Sequence, residues 1–226
     1  MIKSIVNLFF PKTCCGCNAY LLHQEIILCG RCRHEIPLTH HHENETNEVV
    51  QKFYGRVALE FGAAQFYFHK KGIVQGLIHH LKYKGQQEIG TVLGYWYAED
   101  LKPIVTSKKI TCIIPVPLHK RRLRTRGYNQ VTTYGKALSE KLEIPYNETL
   151  LFRKLYSKTQ TKKSLLKRSE VESSLFEVDC NESHHNQHFL LVDDVITTGA
   201  TLEACAKALL KIPGARVSIV CIALSQ

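Results

Sequence analysis

Residues Phe189–Thr201 read FLLVDDVITTGAT, and the reading of this stretch decides the fold. Phe189 to Val192 are consecutive apolar residues, the pattern of a strand buried on both faces of a parallel sheet. Asp193 and Asp194 stand where that strand should emerge. Thr197, Thr198, Gly199 and Thr201 then make a hydroxyl-rich turn. The TLEACAKALLK that follows places Leu202, Ala206, Leu209 and Leu210 on one helical face. The sequence therefore predicts strand, loop and helix.

A loop that opens a helix offers unpaired backbone N–H groups and the positive end of the helix dipole, which suits a phosphate. Gly199 lets the backbone approach closely, and threonine hydroxyls add donors to the same oxygens. Two carboxylates just upstream repel phosphate and suit sugar hydroxyls or Mg²⁺. The loop has neither the Gly-Lys-Ser/Thr ending of a P-loop nor a GxGxxG, so ordinary nucleotide-fold readings fit it poorly.

The chain has 226 residues, enough for one full domain with a small appendage. Its net charge of +10 points to anionic partners, meaning phosphates, diphosphate or nucleic acid. Part of the excess is concentrated at 120–126 and 153–168. Of nine cysteines, four form two CxxC pairs near the N-terminus and the rest are scattered, which favours a reducing compartment over a disulfide framework. The opening MIKSIVNLFFP is too short to span a bilayer and has no small-residue cleavage site, so it reads as a packing segment, with peripheral attachment through residues 1–10 as the alternative. No later run reaches membrane-spanning length, and a soluble cytoplasmic protein is expected.

Cys14 and Cys17, then Cys29 and Cys32, make two knuckles separated by a strand-like LLHQEIIL. Four thiolates at this spacing would close a tetrahedral Zn²⁺ site, structural because no ligand position stays open. Cys15 is a spare thiol that could compete, and His23 or His34 could replace a ligand. Residues 1–38 are thus expected to form a zinc-ribbon module, residues 39–56 a linker with some helix, and residues 57–226 the main domain. The linker is polar, and its His40, His41 and His42 are expected to be solvated although they could bind a metal.

Beyond it, VALEFGAAQFYFHKKG predicts two strands joined near Gly62. A helix follows with Ile73, Leu77, Ile78 and Leu81 on one face, then a second from Gln87 to Leu101 stopped by Pro103. Trp96 reads as core. ITCIIPVP is a short buried strand, and LHKRRLRTRGYNQ behind it brings Lys120, Arg121, Arg122, Arg124 and Arg126 into what reads as a polyanion-binding loop. Before the acid pair, His184, His185 and His188 are expected in a solvated turn. RVSIVCIALSQ supplies a last buried strand.

The acid pair with its Thr-Gly loop resembles the phosphoribosyl diphosphate (PRPP) motif of type I phosphoribosyltransferases. PVPLHKRRLRTRGYNQ, the paired CxxC knuckles and RKLYSKTQTKKSLLKRSEVESSLF together resemble the ComF family of competence-associated proteins. The resemblance implies an α/β fold with a parallel sheet flanked by helices and a small N-terminal zinc ribbon. It implies that Asp193 and Asp194 hold the ribose hydroxyls and that Val195, Ile196, Thr197, Thr198, Gly199, Ala200 and Thr201 wrap the 5′-phosphate. Lys120, Arg121, Arg122, Arg126, Arg153 and Arg168 would meet the diphosphate with Mg²⁺, residues 153–176 forming a hood over the site. Val171 departs from the family's pattern, which has Asn there. Three functions stay open: a PRPP-using transferase, a PRPP sensor, and a single-stranded-DNA accessory of the DNA-uptake machinery, for which Tyr128 and Tyr156 are the aromatic residues placed among the charges.

Overall fold

The structure is a computed structural model that describes residues 11–154 and 175–226. The N-terminal apolar run and the basic stretch carrying Tyr156 and Arg168 lie outside the described residues. In chain order the elements are α1 (Gly30–Glu35), α2 (Glu48–Phe53), β1 (Phe61–Phe68), α3 (Ile73–Tyr83), α4 (Glu88–Lys108), β2 (Cys112–Pro115) and α5 (Lys120–Arg126). They continue with α6 (Thr132–Leu142), β3 (Leu151–Arg153), β4 (Phe176–Val178), β5 (His188–Ile196), α7 (Ala200–Leu209) and β6 (Arg216–Ser225).

Four strands form one parallel sheet in the order β1-β6-β5-β2. Alternation along β5 sends Leu190 and Val192 to one face, with Val220 and Ile222 of β6, against Leu77 of α3, Leu93 of α4 and Leu138 of α6. Phe189 and Leu191 go to the other face with Ile219 and Cys221, against Phe53 of α2 and Leu202 and Leu209 of α7. Each such fully buried Leu, Ile or Phe contributes about 1.5–3 kcal/mol relative to exposure, which is why a strand apolar on both faces must lie inside. Cys14, Leu28 and Cys32 join the first of these cores. A separate antiparallel pair, β3 with β4, brackets the undescribed stretch and packs on the outer core through Leu151 and Phe176.

Several expectations are corrected. The segment around Gly62 is one strand, because Gly62 pairs with Ile219 and sits against α2, where a Cβ would come within 2.9 Å of Val49. Helix α4 runs through Pro103 to Lys108. Pro103 and Glu99, whose carbonyl loses its helical donor, are both exposed, so water can replace that bond. LLHQEIIL is turns and bends, preceded by an isolated bridge Thr13↔Tyr20, with Ile27 and Leu28 buried as anchors. The basic run at 120–126 is a helix capped by His119, whose Nδ1 accepts from Arg121 N at 3.1 Å.

The polar segment after residue 36 is an ordered strap over the free edge of β1. Tyr67 N donates to Pro37 O at 2.9 Å, Thr39 N to Gln65 O at 3.1 Å, and Asn47 Nδ2 to Gly62 O at 2.8 Å. An uncovered edge strand would template pairing with another chain, so the strap answers a real liability. His41 is accordingly buried. Its Nδ1 accepts from Ala64 N at 3.3 Å and its Nε2 meets Glu48 Oε2 at 2.6 Å. His188 is also buried, bonded to Lys108 O and Ser218 Oγ at 2.8 Å each. Polar neighbours in sequence concealed both, since burial of an imidazole needs only two partners. Among the described residues no helix is long and apolar enough to cross a membrane.

Candidate functional site

The sheet opens a crevice at the carboxyl end of β5. β2 ends at Pro115, and Val116 N makes a last bond to Val192 O at 2.9 Å. On the other side β5 stays paired with β6 as far as Ile196. The acid pair therefore lies inside β5, on the stretch where only one neighbour remains. The expectation that the strand ends at the acids is corrected by this one-sided pairing. Crevices beyond strand ends are where open α/β sheets bind ligands.

Asp194 is buried and both its oxygens are held. Lys82 Nζ of α3 lies 2.8 Å from Oδ1, and Gln130 Nε2 donates to Oδ2 at 2.6 Å. Asp193 is half-buried, and its Oδ1 accepts from Asp194 N at 2.8 Å. Burial first, and the neighbouring Asp194 second, push the Asp193 carboxyl up to about 8, against the opposing pull of Lys82 and Arg122. Arg126 Nη1 donates to Gln130 Oε1 at 2.7 Å, so the basic helix and the acid pair are joined through one amide. Sequence reasoning passed over Lys82 and Gln130 as site residues. Lys82 ends the amphipathic α3 and Gln130 ends the quoted GYNQ, so the only signal was their position beside recognised motifs.

Val195 and Ile196, grouped with the loop by sequence, are strand residues paired with Ala223 and Leu224. The loop proper is Thr197 and Thr198, both exposed, and Gly199, with α7 opening at Ala200. Gly199 has φ 78 and a Cβ there would stand 2.9 Å from Phe53, so only glycine fits the turn. Arg56 braces the loop from behind: its Nη1 donates to Thr198 O at 2.9 Å and its Nε to Glu203 Oε2 at 2.8 Å, while Lys207 Nζ takes Glu203 Oε1 at 2.6 Å. Nothing in the sequence around Arg56 signals this role.

Lys120, Arg121 and Arg122 are exposed on α5, which buries no side chain. Arg122 is close enough to act electrostatically on both Asp193 and Arg153. Arg153 is half-buried over the Phe176 ring at 5.4 Å, and burial lowers its pKa. Lys120 and Arg153 share an open cleft of about 750 Å³ with Pro117, Lys136, Glu148 and Phe152. The structure thus gathers Asp193, Asp194, the Thr loop and Arg122 at one end of the sheet. Arg168 lies outside the described residues. Tyr128 is half-buried with its hydroxyl on Leu81 O, whereas Tyr83, not singled out by sequence, is exposed and carries Arg126 over its ring at 5.1 Å.

At the other end of the chain, Cys14, Cys17, Cys29 and Cys32 bring their sulfurs within 4.8 Å of one another. The Cys17 and Cys29 sulfurs are 3.7 Å apart. Two thiolates about 2.3 Å from one tetrahedral zinc stand about 3.8 Å apart, so the four fit that ion. Gly16 N and Cys29 N point at Cys14 Sγ at 3.4 and 3.3 Å. Burial raises the Cys14 thiol, yet these amides and neighbours bring it down to about 7. Cys15 faces away, its Sγ bonded to Gln86 Oε1 at 3.1 Å, and burial raises it to about 11.

Residues 133–225 match the phosphoribosyl transferase domain family, a span containing the acid pair and the Thr loop. Competence protein F of Haemophilus influenzae is 34% identical over 140 residues, covering 60% of this chain and 61% of that protein. Competence protein ComFC of Bacillus subtilis is 29% identical over 134 residues, 59% of this chain and 52% of that one. The chain is thus similar to competence proteins that carry a phosphoribosyl transferase domain. DNA utilization protein YhgH of Shigella flexneri is 30% identical over 152 residues, 65% of each. The chain spans between about half and just under two thirds of the length of these relatives. Of the parallel sheet, β5 and β6 lie within the span matched to the phosphoribosyl transferase domain family.

Proposed function

We propose that the crevice binds PRPP and that the protein transfers or holds its phosphoribosyl group in the service of DNA uptake. The observation that carries this reading is the acid pair on the one-sided end of β5, followed directly by a Thr-Gly loop that opens a helix. Asp193 and Asp194 would accept from the ribose hydroxyls. A carboxylate offers about four acceptor sites, so Asp194 keeps capacity beyond Lys82 and Gln130. Thr197, Thr198, Thr201 and the first N–H groups of α7 would donate to the 5′-phosphate, holding the reacting carbon by binding energy from the far end. Val195 and Ile196 would shape that loop from the strand.

In the transfer, an acceptor nucleophile bonds to C1 while the C1–O bond breaks and diphosphate leaves with the electron pair. Lys120, Arg121, Arg122, Arg126 and Arg153, with Arg168 of the undescribed stretch, would neutralise the charge that develops there. Mg²⁺ bound to the diphosphate would supply further charge neutralisation. Residues 1–38 would form a module held by a structural zinc on the four cysteines. A cytoplasmic location belongs to this proposal, since free thiolates persist in a reducing compartment.

The exposed arginines of α5 favour a second reading, in which the same fold handles single-stranded DNA without turnover. Calorimetry with PRPP and Mg²⁺ on the wild type and on Asp193→Asn/Asp194→Asn separates the two, with diphosphate release assayed in the same samples. Binding that the double variant loses, with release on adding an acceptor, is the expected outcome. Binding without release across acceptors leaves the sensor or DNA reading. A well-folded wild type that ignores PRPP overturns the site.

A further inference from the structure

His40 and His42 flank His41 on the strap over β1, and the three imidazoles part company. His41 turns inward to Ala64 and Glu48. The other two turn to Glu43: His40 Nδ1 lies 3.2 Å and His42 Nε2 lies 3.4 Å from the same oxygen, Oε1. The local backbone explains the convergence. His41–Glu43 is a 3₁₀ turn with His40 as its N-cap, and residues three apart eclipse in that geometry, which stacks His40 over Glu43. His42 is held on its other side by the Tyr97 ring, edge-on at 6.1 Å between centroids.

One donor atom from each of the three residues lies within 4.8 Å of the others. Two donors about 2.1 Å from one tetrahedral cation stand about 3.4 Å apart, which matches the His-to-Glu separations. Two imidazoles and one carboxylate suit a borderline transition cation better than Mg²⁺ or Ca²⁺, which prefer all-oxygen shells.

We propose that His40, His42 and Glu43 form a second metal site, distinct from the cysteine cluster, that takes a divalent cation of the Zn²⁺, Co²⁺ or Ni²⁺ type and leaves its fourth position to water. The site rests on β1, at the opposite edge of the sheet from β2 and the acid crevice, and does not depend on the PRPP reading. Among the described residues His42 Nδ1 is buried with no hydrogen-bond partner, so none of them supplies the acceptor that ordinarily steadies a ligating imidazole. The second site is accordingly weaker than the four-cysteine one. Occupied, it would clip the strap at the point where it covers the β1 edge.

The test uses the full chain, first loaded with one equivalent of Zn²⁺ and then titrated with Ni²⁺ by calorimetry and with Co²⁺ by absorbance. A further equivalent is expected, without the thiolate-to-cobalt charge transfer that entry into the cysteine cluster would give. His40→Asn, which tolerates the left-handed backbone at φ 54, and Glu43→Gln should each weaken this binding at least tenfold while leaving the far-UV circular dichroism unchanged. Both residues are exposed, so neither change should unfold the protein. Absence of a second equivalent tighter than about 100 µM overturns the site, that threshold being only about 5.5 kcal/mol of binding. So does uptake that both variants retain, which would assign the metal to other histidines such as His79 and His80, or uptake that shows thiolate charge transfer.

Discussion

Asp194 and the arginines of α5 belong to the same end of the molecule, yet they are built in opposite ways. Asp194 is 5% exposed and has a partner on each oxygen, drawn from α3 and from the segment before α6. Helix α5 has no buried side chain at all, and it reaches back to the site through the Arg126–Gln130 bond and the charge of Arg122. The acid end is fixed in place by packing before any ligand arrives, whereas the basic end is a solvated surface that contributes charge more than shape. A site that positions ribose needs the first kind of construction, and one that meets a departing or polymeric anion is served by the second.

The sharpest way to break this contrast is to strip one partner from Asp194. Lys82→Met should destabilise the fold by about 3 kcal/mol, because a carboxylate left buried without its cation retains the desolvation cost. Denaturant unfolding measures it. Adding Asp194→Asn to Lys82→Met should recover most of the loss, since the uncompensated charge is gone. If Lys82→Met is neutral, the acid end is no more constrained than the basic one.

A second effect is confined to Asp193. Burial and Asp194 raise Asp193 to about 8 in the folded chain, against about 3.9 for an unfolded aspartate. A raised folded value means that the folded state binds the extra proton. Its contribution is therefore fully present below about pH 4 and is lost as pH rises towards 8. The wild type should lose thermal stability across that window, and Asp193→Asn, which needs no proton, should flatten the decline. Melting curves from pH 5 to pH 8 with equal slopes for both proteins would show that Asp193 is ionised throughout.

How much of this was legible in the sequence follows the same division. The apolar run of β5, the acid pair, the Thr-Gly turn and the apolar face of α7 are contiguous, so local pattern sufficed to place strand, loop and helix in order. The two CxxC knuckles were legible for the same reason. What could not be read was everything set by partners far along the chain. Lys82 and Gln130 meet Asp194 across long separations, and Arg56 reaches Thr198 from the strap side of the sheet. The polar strap, read as linker, is ordered because β1 is an edge, a fact of strand order that no local periodicity reveals. Pro103 misled for a related reason: whether a proline stops a helix depends on whether the freed carbonyl faces water.

The smallest expected stability change tests the other side of the contrast. Arg121→Ala/Arg124→Ala removes two exposed charges from a helix that buries nothing, so stability should move by no more than about 0.5 kcal/mol per site. Binding to single-stranded DNA, measured by anisotropy over a salt series, should instead weaken, and the slope of log affinity against log salt should fall by about 0.7 for each phosphate no longer neutralised. Affinity for PRPP should change less than for DNA, because Arg122, Arg126 and Arg153 remain beside the crevice. If the pair of substitutions destabilises the fold as much as Lys82→Met does, α5 is a structural element and its arginines are packed. If DNA binding and its salt slope stay unchanged, the exposed charge of α5 serves some other anion, and the small-molecule reading of the basic end gains at the expense of the polymeric one.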